Sequence, residues 1–275
     1  MIGKFPKVGP RVYGPGFIGI LDTYANAAVA YSVRKLRAAY TGSAIRVRRS
    51  SDNAEQDIGF TGTGDLNETA LTTFVGAGNG FVTTWYDQSG NGNNATQTTA
   101  SNQPQIVSSG SVINVNSKPS LQFDGSDDFL TLSNISTNIT YSGFQVVKRK
   151  STSTISVTLA GSSISDSYLL WNFSDNNAYF RSSQGYITQS LNTTTQQLFT
   201  SININSGNMS MYNNASLLLS NTPISLPGTN VMNAIGRRNA NYSEGNTQEI
   251  IVYSSNESSN RTGIESNINS YYAIY

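Results

Sequence analysis

Acidic side chains are the first place to look for chemistry, because this chain contains no histidine and no cysteine. Carboxylates are then the first candidates for acid–base work and hard-cation binding. The densest group is Asp124, Asp127 and Asp128 in FDGSDDFL. A turn of that composition satisfies its own backbone through side-chain hydrogen bonds, and Asp127 and Asp128 are also calcium candidates. A second loop, DQSGNGNN, sets Asp87, Ser89 and Asn91 at alternate positions with Gly92 for a sharp turn, like the first half of a calcium loop. Thr98 stands where such a loop needs a bidentate glutamate. An Asx-turn is the favoured reading, with Asp87 and Asn91 kept as calcium candidates. No cofactor is expected. Flat faces for stacking a sugar could come from Trp85, Tyr86, Trp171 and Tyr242, and from Tyr168, Tyr179 and Tyr186. Aromatics on strands are more often core, so a binding role requires exposure.

Composition narrows the partners. Charged residues make up 12% of the 275 residues and the net charge is +1. Ser, Thr and Asn supply about a third of the chain, so the surface is solvated by hydroxyls and amides more than by ions. Arg34, Lys35, Arg37, Arg46, Arg48 and Arg49 are the one basic cluster. Alternation in IRVRR puts Arg46 and Arg48 on one strand face, within reach of Asp52, Glu55 and Asp57. Neither nucleic acid nor membrane is therefore expected as a partner. The absence of cysteine argues against a disulfide framework, and MIGKFPKVGPRVYGPG has no apolar stretch of the secretory kind. Synthesis in a cytoplasm is the expectation.

The elements that would position these residues are mostly strands. Residues 1–19 form a Pro/Gly zone that cannot be a regular helix or a central strand. It reads either as a disordered tail or as an extended anchoring arm, with Lys4, Phe5, Lys7, Arg11 and Tyr13 as docking residues. Asp22 then offers a cap for an Ala-rich segment in which Val29, Val33, Leu36 and Tyr40 make one helical stripe ending at Gly42. Beyond it the period is two: AIRVRR, FVTTWY, SLQF, FLTL, FQVVK, YLLWNF, QLFTSIN, MSMY and EIIVY read as short strands between Gly, Asn and Ser turns. Ile264, Ile268, Tyr271 and Tyr272 predict a closing amphipathic helix. The fold class is all-β: a two-sheet jelly-roll sandwich over residues 20–275, with a short helix near each end.

The residues also carry a family likeness. AYSVRKLRAAYTGSAIRVRRSSDNAEQDI followed by TTWYDQSGNGNNATQ resembles the amino-terminal half of the α-L-arabinofuranosidase B catalytic domain. LQFDGSDDFL and the segment from AIGRRNANYSEGNTQ to the C-terminus resemble concanavalin A-like, laminin-G-like jelly rolls. The resemblance implies a retaining glycosidase with two carboxylates about 5 Å apart. It also implies departures: Gly236, Arg237, Arg238 and Asn239 stand where the family has Gly-Gly-Asp-Asn. Between Asp128 and Glu244 the acids are Asp166 and Asp175, and the family's adjacent cysteine pair has no counterpart. An acid pair drawn from Asp87, or from Asp124 through Asp128, with Glu244 is the remaining route to hydrolysis.

On these departures the expectation is a protein that is not an enzyme. The AYSVRKLR to DQSGNGNNATQ unit is similar to domains in virion proteins of phages infecting gut Bacteroidetes, including head fibres of crAss-like phages. That resemblance implies a head fibre or capsid-decoration protein located in the virion. Its arm would bind capsid or other virion proteins, its lectin-like domain would meet host or mucosal glycans, and it would assemble as a trimer or dimer. The alternatives are a free carbohydrate-binding module and an arabinofuranosidase-type glycoside hydrolase.

Overall fold

A computed structural model describes residues 16–137, 140–152, 154, 156–160, 168–172, 177–182, 185–190, 193–204, 208–223 and 230–275. The architecture is the expected all-β sandwich, and every strand pairing among these residues is antiparallel. Glu244–Tyr253 is its spine. Its second half pairs with Ala27–Ser32, its first half with Leu121–Asp124, and its other edge with Tyr141–Arg149. From there the sheet continues through Gln197–Ile204, Asn208–Asn213 and Ser216–Pro223. A second group of strands is built on Ile45–Arg49, flanked by Glu55–Ile58 and Gly80–Trp85. Trp85, Phe123, Phe144, Phe199 and Tyr253 fill the space between, each almost wholly removed from water.

The helix expected across residues 25–41 is not there. Ala27–Ser32 is a strand, and its burial explains the misreading: nearly every side chain from Ala27 to Ser32 is covered, so no polar face alternates with the apolar one. Val33 and Leu36 are fully buried in irregular chain that follows. That chain is held by the Gln88 side chain, which accepts from Leu36 N at 2.8 Å and donates to Arg34 O at 2.9 Å. The short helix near the N-terminus is Ile20–Thr23. An unforeseen helix spans Glu68–Val75, with Asn67 capping it through Ala70 N. The closing helix is as expected: Arg261–Tyr272 buries Ile264, Ile268 and Tyr272 against the sheet.

The arginines of Ile45–Arg49 pair locally. Arg46 meets Glu55 at 2.9 Å and Asp57 at 4.0 Å, and Arg49 meets Asp52 at 2.6 Å. Arg48 lies over the Phe81 ring and donates to Gln103. No helix among the described residues is long and apolar enough to cross a membrane.

Candidate functional site

Three adjacent strands present a polar face at one end of the sandwich. The register sets Asp124 opposite Glu244 and Gln122 opposite Asn246, and on the far side Asn246 stands opposite Lys148. Lys150 N donates to Glu244 O, which carries the same alignment one step further. Side chains two apart on a strand share a face. The result is two rows across three strands: Asp124, Glu244, Lys150 and then Gln122, Asn246, Lys148. A cleft of about 270 Å³ lies along them, lined by Gln122, Asp124, Lys148, Lys150 and Asn246 among others.

The acids sit in a tight local arrangement. Asp124 accepts from Ser126 N at 2.8 Å, and Asp124 N donates to Asp128 Oδ2 at 3.0 Å. Carboxylate oxygens of Asp124, Asp127 and Asp128 lie within 4.8 Å of one another. Burial, then the neighbouring charge of Asp124, pushes the Asp128 carboxyl up to about 7. Glu244 forms an ion pair with Lys150, and its side chain lies over Gly125. Directly opposed side chains in an antiparallel pair have Cβ atoms about 5 Å apart, so Asp124 and Glu244 are neighbours on one face, Asp124 turned to Ser126 N and Glu244 to Lys150. Gly245, between these rows, has φ +151, and a Cβ there would stand 2.3 Å from Lys148 O. Gly245→Ala is therefore expected to cost about 1–3 kcal/mol, read as a lower denaturation midpoint with unchanged slope.

Asp128 makes stability depend on pH. Its folded value lies above that of an unfolded carboxyl, so its contribution is complete below about pH 4 and is lost as pH rises through about 7. Asp128→Asn keeps an oxygen for Asp124 N and removes the charge. It is expected to raise the melting temperature at pH 8 by about 2–4 °C and to leave it unchanged at pH 4, by calorimetry.

The other sequence candidates fall elsewhere. Trp85 is wholly buried with its ring 5.7 Å from Tyr31, so it offers no face to a sugar. Tyr86 is half-buried and donates to Asp57 at 2.7 Å. Asp87 is enclosed, and its oxygens accept from Ala30 N, Ser89 N, Ser89 Oγ and Asn93 N. Asn91 donates to Ala27 O and Ala28 O. Both side chains are spent on holding the loop. Tyr242 packs against Phe129 beside the acidic turn, with ring centroids 6.3 Å apart. Trp171, Tyr168, Tyr179 and Tyr186 fall on strands whose side chains lie outside the described residues, as do Asp166, Asp175 and the arm residues Lys4, Phe5, Lys7, Arg11 and Tyr13.

The Gly236–Asn239 segment forms a hairpin with Asn241–Tyr242 next to this turn. Gly236 lies against the Phe123 ring, and the Arg237 guanidinium stacks 3.7 Å from the Phe129 centroid. Arginine therefore occupies the hairpin while the acids come from the adjoining strands. Lys148, Lys150, Gln122 and Asn246 were not singled out from sequence. Alternation in KRK and EGN was their one visible signal.

The family model described as alpha-L-arabinofuranosidase B, catalytic, matches residues 21–127. A search of curated proteins finds no match. Among solved structures, an arabinofuranosidase complexed with arabinofuranosyl-α-1,2-xylobiose is 15% identical with a TM-score of 0.64. A GH54 α-L-arabinofuranosidase soaked with a cyclic sulfate inhibitor is 16% identical with a TM-score of 0.66. Each alignment covers 88% of this chain and 62% of the other, so the chain spans less than two thirds of those proteins. At such identity the likeness establishes the fold: a β-sandwich shared with carbohydrate-active enzymes. The expectation of a protein that is not an enzyme is corrected here, because the matching model is a catalytic domain and the similar structures are glycosidases. These matches favour the hydrolase alternative over virion display.

Proposed function

We infer that the protein is a glycoside hydrolase of the arabinofuranosidase type, working with the carboxylates of the three-strand cleft. The observation that carries this reading is the cross-strand opposition of Asp124, which lines the cleft, and Glu244, which is ion-paired to the cleft-lining Lys150. A retaining mechanism needs its two carboxyl groups about 5 Å apart, a spacing within reach of neighbouring acids on paired strands. Glu244, beside the Lys150 ammonium, attacks the anomeric carbon as the glycosidic bond breaks. Asp124 gives its proton to the departing oxygen. Water then enters, Asp124 takes its proton, and the bond from Glu244 to the sugar breaks. That proton returns Asp124 to its acid form for the next cycle.

Support also comes from the family match, whose span includes Asp124. The test is turnover of 4-nitrophenyl α-L-arabinofuranoside and of arabinofuranosyl-α-1,2-xylobiose. Absence of turnover of both substrates between pH 4 and 8 would end this reading.

A further inference from the structure

The basic cluster between Arg34 and Arg49 is spent on local partners, with one exception. Arg34, Arg46 and Arg49 are ion-paired, Lys35 lies over the Phe17 ring and Arg48 over the Phe81 ring. Arg37 has neither kind of partner among the described residues. It stands in the wall of a pocket of about 370 Å³ that is also lined by Asn26, Ala28, Ser89, Asn91 and Ser254. That volume is ordinary for a small-ligand site. Gly245, in the cleft already described, and Ser254, just beyond the spine strand, lie about 30 Å apart along extended chain. The pocket is therefore separate from the cleft.

The loop DQSGNGNN builds its wall. Asp87 fixes the N–H and the hydroxyl of Ser89, and Ser89 O accepts from Arg37 Nη1 at 3.1 Å. Gly90 packs against the guanidinium: its φ is +99, and a Cβ there would stand 3.0 Å from Nη2. Nε of Arg37 is sealed from water, whereas Nη2 is not sealed and donates to nothing among the described residues. The fork of Nη1 and Nη2 is thus held in place with its outer end open. No acid lines the pocket. The acids nearest in the chain and in the loop are occupied, Asp22 by Gly19 N and Ala38 N, and Asp87 by Ala30 N and the loop itself.

Beside this donor stands an acceptor. Asn91, which is exposed, gives Nδ2 to Ala27 O at 3.0 Å and to Ala28 O at 2.9 Å. Those two carbonyls fix the orientation of the amide and leave Oδ1 without a partner among the described residues. A forked cation next to a lone acceptor suits a carboxylate carried beside hydroxyl groups. A neutral sugar would leave the guanidinium without a counter-charge, and a bare carboxylate would give nothing to Asn91.

We propose that this pocket binds a sugar acid, with its carboxylate on the Arg37 fork and a neighbouring hydroxyl donating to Asn91. The site goes beyond the hydrolytic reading and stands whether or not the cleft turns over a glycoside.

Calorimetric titration of the full chain tests it, with D-glucuronate and methyl β-D-glucuronoside as probes and methyl β-D-glucoside and acetyl-aspartyl amide as comparators. D-glucuronate is expected to bind with a Kd on the order of 1 mM, and each comparator at least about tenfold more weakly. Arg37→Gln should weaken D-glucuronate by at least about tenfold. Ser254→Trp, at an exposed position on the rim, should weaken it by at least about fivefold, which keeps the test valid if Arg37→Gln folds poorly. Glu244→Gln should leave that affinity within about twofold, since the cleft lies at the other end of the spine. Binding of the methyl glucuronoside as well assigns the pocket to a uronate within a glycan, and binding of the free acid alone assigns it to the monosaccharide; both uphold the proposal. It is overturned if neither probe binds up to about 20 mM, or if the neutral glucoside binds as well as the acid. It is equally overturned if acetyl-aspartyl amide binds as tightly, which would mark an acidic-peptide site, or if affinity follows Glu244 and not Arg37.

Discussion

Glu244→Gln is expected to lower kcat/KM on both the nitrophenyl glycoside and the trisaccharide by at least about a thousandfold, because an amide is a far weaker nucleophile than a carboxylate. The fold should hardly notice. Lys150 is 67% exposed, so the lost ion pair is screened by water and contributes at most about 1 kcal/mol. Asp124→Asn should behave differently. The asparagine oxygen still accepts from Ser126 N, so the turn survives. The nitrophenolate departs with little help from a proton, whereas a sugar alcohol needs one, so the first bond cleavage suffers far more with the trisaccharide than with the nitrophenyl glycoside. Glu244→Gln should show no such split. Melting temperatures within about 2 °C of the parent would confirm that both effects are chemical. If each variant stays within about threefold of the parent on both substrates, the opposed carboxylates are not the reacting groups.

The juxtaposition of these acids is only partly legible in sequence, for a definite reason. Asp124 and Glu244 are far apart in the chain, and only the pairing of Leu121–Asp124 with Glu244–Tyr253 sets them opposite each other. Periodicity reveals that a strand exists and which residues share a face; it says nothing of which strand lies alongside. Hence FDGSDDFL stood out as an acidic turn while Lys148, Lys150 and Asn246 passed unnoticed. The non-enzyme expectation, overturned by the match to a catalytic-domain family model, leans on the same blind spot. Arg237 and Arg238 were read as the loss of an acid, yet their hairpin packs beside a turn that brings carboxylates of its own. The sandwich was easier, because alternation such as that in LQFD survives as the burial pattern of a real strand. Ala27–Ser32 was hard for the opposite reason: a strand covered on both faces has no alternation to display.

Arg34→Met is expected to cost about 3–5 kcal/mol and to lower the melting temperature by about 10 °C or more. Arg34 looked from sequence like one member of a basic patch, but it is nearly buried and forks onto Glu249, with Nε to Oε2 at 2.8 Å and Nη2 to Oε1 at 2.9 Å. Its remaining arm donates to Asn267 at 2.9 Å, and its plane lies 5.0 Å from the Tyr271 centroid. Glu249 also accepts from Ser32 Oγ at 2.7 Å and Tyr272 OH at 3.2 Å. This network ties the chain after Ala27–Ser32, the spine strand and the closing helix to one buried carboxylate. Removing the guanidinium strands that carboxylate away from water, and the two remaining hydroxyl donors cannot replace a bidentate cation. The double variant Arg34→Met with Glu249→Met should recover much of the loss, since no charge is then left buried, whereas Glu249→Met alone leaves an arginine that can swing outward along its flexible stem. A denaturant double-mutant cycle reads the coupling directly. A coupling below about 1 kcal/mol would mean that the closing helix is held by Ile264, Ile268 and Tyr272 packing alone and that the ion pair is dispensable.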